Sequence, residues 1–154
     1  MIEKYEKYNK KLGEILLEYK MISPEQLKKA LKKQKEKNKR IGEVLIDLHF
    51  VTQDQINWVL CKQLNIPYVQ IELEQLDLGL VKEFPEYLIK NYHLIPLTEM
   101  NDILVIAMAD PTDDEAIQKI RSLCKRNIEI VLASFKNVME ITNDIIKEYP
   151  DIWE

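Results

Sequence analysis

The chain reads as an α+β protein: an N-terminal bundle of two tandem helical hairpins, then a small antiparallel sheet with helices on one face. Three observations carry this expectation. A 24-residue unit occurs twice, over residues 11–34 and 40–63, at a constant offset of 29. Apolar residues in both copies recur at helical spacing. From Leu64 onward the period changes, and short apolar runs alternate with helical patterns. The expected division is a helical repeat lobe over 1–65 and an α/β lobe over 66–154.

The repeat lobe is predicted as four short helices, two per copy. Leu12, Ile15, Leu16 and Tyr19 share one helical face, as do Ile41, Val44, Leu45 and Leu48. The second helix of each copy opens on a capping box: Ser23-Pro24-Glu25-Gln26, then Thr52-Gln53-Asp54-Gln55. In each, the hydroxyl and the glutamine side chain satisfy amides that the opening turn leaves free. The apolar stripe continues through Leu27, Ala30 and Leu31 in one copy and Ile56, Val59 and Leu60 in the other. The next position on each stripe is a glutamine, Gln34 or Gln63. A glutamine facing an apolar groove needs a partner for its amide, or else marks a wetted helix end.

The second lobe begins with a short extended stretch, Ile66 to Ile71. Leu80 to Tyr92 contains a helical pattern in which Pro85 can occupy the first turn, and a strand is predicted over His93 to Met100. Asn101-Asp102 reads as a two-residue hairpin turn into a buried strand, Ile103 to Ala109, which Asp110-Pro111 stops. Thr112-Asp113-Asp114-Glu115 is predicted as a third capping box. A helix, a strand over Ile128 to Ala133 and a closing helix over Lys136 to Tyr149 follow.

Composition narrows the functional class. With 154 residues, 46% hydrophobic and 31% charged, the chain is globular rather than disordered. No apolar run reaches the roughly 18–20 residues of a membrane span, and polar Met1 to Lys11 carries no secretory signal. Cys61 and Cys124 stand alone, which fits a reduced, cytoplasmic setting. Only Gly13, Gly42 and Gly79 occur, too few to write a phosphate-binding loop or a dinucleotide fingerprint. His49 and His93 have no metal-ligand spacing, and no nucleophile–base pair or carboxylate pair stands out. The sequence therefore reads as a binding protein, with neither enzyme activity nor a metal.

What the repeats do offer suits an anionic ligand. Residues 1–65 hold 14 Lys/Arg against 9 Asp/Glu, a balance of +5, and residues 66–154 hold 8 against 17, a balance of −9. Such asymmetry points to an anion or an acidic partner for the first lobe, or to a solvated lysine face. Each copy places a basic residue, a large apolar residue and a glycine where a helix begins: Lys11-Leu12-Gly13 and Arg40-Ile41-Gly42. Helix-start amides favour anions, and glycine allows close approach to the backbone. Arg40 presents a planar fork to phosphate or to a guanine edge, whereas Lys11 presents charge alone. Two copies suit a ligand with two phosphates and two purines. The same triplet also reads as a plain turn with its basic residue in water.

At this point the residues resemble a family, the N-terminal domain shared by type II secretion ATPases and type IV pilus assembly ATPases (the MshEN-type domain). Its motif, RLGxxLxxxGxxxxxxLxxxLxxQ, occurs twice with a five-residue spacer. Here Lys11, Leu12, Gly13, Leu16, Leu27, Leu31 and Gln34 match the first copy, and Arg40, Ile41, Gly42, Leu45, Ile56, Leu60 and Gln63 the second. Leu64 to Val69, Phe84-Pro85-Glu86, Ile95-Pro96-Leu97 and Ala107 to Pro111 are similar to later family landmarks. The resemblance implies binding of cyclic di-GMP, with each set forming one half-site and Asp110 either reaching a guanine or simply capping its turn. It also implies a motor ATPase domain and inner-membrane platform proteins as partners, with no DNA or RNA and no membrane insertion. A pure docking module without nucleotide is the alternative. Two departures stand out. Lys11 replaces the motif arginine, and Lys20 and His49 replace its internal glycines, which matters if those positions are left-handed.

Overall fold

Helix starts and stops in the repeat lobe follow the side chains that cap them. The computed structural model describes residues 12–154, which group into two units, 12–65 and 66–154. In the first, α1 spans Leu12–Glu18, α2 Pro24–Lys37, α3 Ile41–Asp47 and α4 Gln53–Leu64. Both expected capping boxes form. The Gln26 amide N–H donates to Ser23 Oγ at 3.1 Å, and the Ser23 N–H donates back to Gln26 Oε1 at 2.9 Å. Thr52 and Gln55 repeat the exchange at 3.2 and 2.9 Å.

The turns inside the two hairpins are also copies of one another. Lys20 and His49 are left-handed, with φ of 57° and 60°. Each closes the preceding helix with the same two bonds. Lys20 N–H donates to Leu17 O and Met21 N–H to Leu16 O; His49 N–H donates to Ile46 O and Phe50 N–H to Leu45 O. This closure normally recruits glycine. Ile15, Leu16, Ala30, Val44, Leu45, Val59 and Leu60 form the core of the lobe.

In the second unit, a 3-10 turn (Leu73–Gln75) precedes α5 (Leu78–Glu83) and α6 (Glu86–Tyr92). The helical pattern within 80–92 thus forms two helices, with Pro85 immediately before the second. Pro85 disfavours helical geometry at Phe84, which is extended (φ −90°, ψ 136°). The sheet comprises β1 (Leu94–Met100), β2 (Ile103–Met108) and β3 (Asn127–Leu132), in that order, with α7 (Asp114–Leu123) between β2 and β3 and α8 (Phe135–Glu148) after them. The α+β class holds, but the sheet is mixed rather than antiparallel. β1 and β2 are a hairpin, closed by left-handed Asn101 and Asp102 as the sequence predicts. β3 runs parallel to β2, and the helix that joins them is the crossover that a parallel pair needs.

Leu104 and Ile106 are buried while Ile103 and Val105 are half-exposed, so the first half of β2 is covered on one face. Ala107, Met108, Val131 and Leu132, near the carboxyl ends of β2 and β3, are all buried, so the cover there is two-sided. Pro96 and a register shift beside it interrupt the outer strand β1, features that blunt an exposed edge.

Long-range polar contacts hold the elements of this unit together. The extended stretch 66–71 makes a parallel bridge at Tyr68 to Leu132 and is then pinned by buried Asn137 on α8. Asn137 Oδ1 accepts from Ile71 N–H at 2.7 Å, and its Nδ2 donates to Ile71 O at 3.1 Å. One amide side chain thus supplies both bonds that a neighbouring strand would. Arg126 links α5 to β1 by donating to Glu83 at 3.2 Å and to Glu99. The Tyr92 hydroxyl donates to Glu115 Oε1 at 2.7 Å, joining α6 to α7, and that bond pushes its pKa up to about 12. Trp153 Nε1 donates to Phe84 O at 2.8 Å. Among the described residues, no helix is long and apolar enough to cross a membrane.

Candidate functional site

The two repeat copies place their matching residues in matching local settings. Arg40 is the exposed residue before α3, with extended backbone (φ −68°, ψ 147°). Its carbonyl accepts from Val44 N–H at 3.1 Å, which starts the helix while the guanidinium lies on the surface. Its counterpart Lys11, with the charged segment before it, lies outside the described residues. Beside Arg40, Lys39 donates to Asp47 at 2.9 Å. This bond raises the pKa of the ammonium and lowers that of the carboxyl group.

The two glycines stand where the helices of each hairpin meet. Neither has a positive φ. A Cβ on Gly13 would stand 2.6 Å from Leu27 Cδ1, and one on Gly42 would stand 3.5 Å from Ile56 Cδ1 and 3.1 Å from Leu12 Cδ2. Leu27 and Ile56 are themselves repeat equivalents. Each glycine therefore lets the first helix of its hairpin close on the second, and Gly42 also receives Leu12 from the other copy. A larger residue at either position would require the facing leucine end to shift.

The apolar stripes are unequal. Leu16 and Leu45 are both completely buried. In the second copy Ile56 and Leu60 are each only 4% exposed. In the first, Leu27 is half-buried and Leu31 is 41% exposed. Leu12, Ile41 and Gly42 are half-buried. The exposed part of the stripes therefore lies mainly on α2. Gln34 and Gln63 are both half-buried, and neither amide bonds another described residue. Gln34 is not at a frayed end: its carbonyl accepts from Asn38 N–H at 3.0 Å, in a left-handed cap.

Asp110 belongs to the other unit and caps a turn there. Its Oδ1 accepts from Thr112 N–H at 3.0 Å and from Thr112 Oγ1 at 2.6 Å. This displaces the predicted capping box by one residue. With Thr112 engaged, Asp113 becomes the cap of α7 and accepts from Ala116 N–H at 3.1 Å.

The sequence reading gave no role to Trp58. It is 49% exposed, meets Tyr19 edge to face with centroids 5.7 Å apart, and has Lys62 Nζ 5.7 Å from its ring centre. Its repeat counterpart is Lys29, so the substitution within the repeat was the available signal.

The chain combines a tandem helical unit with a small α/β unit. The MshEN domain model matches residues 64–143, and the chain belongs to that family. A solved structure of MshE with cdg is 31% identical, covers 88% of this chain and 98% of its own, and superposes with a TM-score of 0.76. The type IV pilus assembly ATPase PilB of Myxococcus xanthus (strain DK1622) is 28% identical over 130 residues, which cover 84% of this chain. The chain spans 23% of the length of that relative. The N-terminal domain of XpsE, in two crystal forms, shares the fold. One form is 20% identical with a TM-score of 0.62, covering 86% of this chain and 92% of its own; the other is 24% identical with a TM-score of 0.57, covering 84% and 90%. The family model falls on the second lobe, whereas the doubled motif lies in the first.

Proposed function

We propose that this chain is a cyclic di-GMP-binding regulatory domain of a type IV pilus or type II secretion motor ATPase, acting in the cytoplasm. The observation that carries the reading is the likeness to MshE with cdg, which extends over 98% of that chain at 31% identity. The doubled motif adds to it, since a two-fold symmetric dinucleotide suits two equivalent half-sites.

In this reading Arg40 and Lys11 engage guanine or phosphate, and Leu12, Ile41, Leu27 and Leu31 pack on the bases. Gln34 and Gln63 bond polar edges with amides that no described residue occupies. Gly13, Gly42, Leu16, Leu45, Ile56 and Leu60 hold the two hairpins in register beneath the ligand. Hydrolysis of ATP belongs to a motor domain in cis or in trans, and inner-membrane platform proteins are the remaining partners.

Calorimetric titration tests the reading. The wild-type chain is expected to bind cyclic di-GMP, and Arg40→Ala and Gln63→Ala to weaken it. Loss of a charge-assisted fork costs about 1.5–3 kcal/mol, so Arg40→Ala is expected to lower affinity by roughly 10–100-fold. No heat at high ligand concentration would sink the proposal. It would favour a docking module that holds the motor to its platform without nucleotide. That second reading draws on the burial of Ile56 and Leu60 and on the glycines, whose space the fold itself fills.

A further inference from the structure

Leu31 stands open on α2, 41% exposed. Residues three and four apart are neighbours on a helix surface, so Leu27, Lys28, Gln34 and Lys35 surround it. Leu27 and Gln34 already belong to the proposed first half-site. Lys28 and Lys35 have no part in the doubled motif, and both are exposed. Among the described residues, no carboxylate pairs with either lysine.

The second copy closes the same patch. Its counterpart Leu60 is 4% exposed, and the residues around it on α4 are Ile56, Asn57, Gln63 and Leu64. Asn57, at the position of Lys28, is 5% exposed and accepts from Gln53 Nε2 at 2.9 Å. Leu64, at the position of Lys35, is 1% exposed. Where the second copy buries an amide and a leucine, the first sets two cations in solvent beside an open apolar side chain. They lie about 10 Å apart along the helix axis, one turn on either side of Leu31. The four-carbon stem of lysine lets each ammonium swing toward that side chain.

Building on the cyclic di-GMP reading of this site, we propose that Lys28 and Lys35 hold a phosphate of the dinucleotide whose base packs on Leu31. The two half-sites then work differently: the second grips through the Arg40 fork, the first through flexible point charges. The first copy has Lys11 where the motif has arginine, and so lacks a fork. Two added cations supply attraction that needs no fixed geometry.

Titration calorimetry on the whole chain at two salt concentrations tests this. The wild type is expected to bind cyclic di-GMP more weakly at roughly 0.5 M salt than at low salt, since exposed charges are screened. Lys28→Gln/Lys35→Gln is expected to lower affinity about three- to tenfold at low salt, as for two exposed ion pairs, and to flatten the salt dependence. Lys28→Arg/Lys35→Arg is expected to keep wild-type affinity, with circular dichroism unchanged in both variants. Lys82→Gln/Lys125→Gln, which makes the same change in net charge on the other unit, is expected to leave binding as it is. A wild type that gives no heat would remove the dinucleotide reading and this proposal together. If the wild type binds and Arg40→Ala weakens it, a Lys28→Gln/Lys35→Gln variant with unchanged affinity and salt dependence would overturn this proposal alone. So would equal weakening in the Lys82→Gln/Lys125→Gln control.

Discussion

At the scale of single residues, the most informative positions are Lys20 and His49. Both adopt left-handed backbone in a helix closure that ordinarily uses glycine. A side chain there costs about 1–2 kcal/mol in steric conflict with the following carbonyl. Replacing it with glycine relieves that cost but gives the unfolded chain more freedom, worth about 0.4–1 kcal/mol. Lys20→Gly and His49→Gly are each expected to stabilise the repeat lobe by about 0.5–1 kcal/mol. Chemical denaturation should show a higher midpoint at unchanged slope, and the two effects should add because the sites share no bonds. A destabilised Lys20→Gly would mean that its ammonium contributes an attraction larger than the strain. These two residues were legible as departures from a repeated motif, but their backbone geometry came only from the structure. A sequence records that glycine is absent and not what conformation replaces it.

At the scale of elements, local signals carried further than tertiary ones. Capping boxes at Ser23 and Thr52 and the Asn101-Asp102 turn were readable because each is decided within four residues. Pro85 was readable as a helix start, whereas the separate helix before it was missed because six residues carry too little periodicity to stand apart from the next helix. The parallel β3 was missed because strand direction depends on what the crossover packs against. Asn137 was invisible for the same reason, since its partner Ile71 lies 66 residues away. Its importance follows from desolvation. Truncation to alanine leaves both backbone groups of Ile71 buried and without partners, at about 1–3 kcal/mol for each unsatisfied group. Asn137→Ala is expected to destabilise the second lobe by about 2–4 kcal/mol, and to release the stretch 66–71 to rapid amide exchange before the sheet itself opens. Protection of Ile71 unchanged in the variant would show that Tyr68 and Val69, bonded to β3, hold the stretch by themselves.

At the scale of the whole molecule, the candidate site was legible in one lobe and the family in both. The doubled motif marks residues 11–63, and the family model rests on 64–143. What the motif could not reveal was its inequality: Leu31 is open where Leu60 is buried, because α2 and α4 pack into different surroundings. A ligand on the repeats therefore draws on unequal halves, and its free energy of binding is added to the lobe that holds it. At about 100 times its dissociation constant, a ligand adds about 2.7 kcal/mol to the stability of that lobe. For a domain of this size each kcal/mol is worth about 2–8 °C. Scanning calorimetry can assign the lobe, because Lys20→Gly marks the transition of residues 12–65 and Asn137→Ala marks that of 66–154. Saturating cyclic di-GMP is expected to raise the transition that Lys20→Gly raises, by at least about 5 °C, and the increment should shrink in Arg40→Ala. If the two lobes melt together, one transition moves with both markers, and the loss of the ligand increment in Arg40→Ala becomes the deciding result. A ligand that raised only the transition marked by Asn137 would relocate the site to the second lobe, with Asp110 at its centre and the tandem repeat as a support.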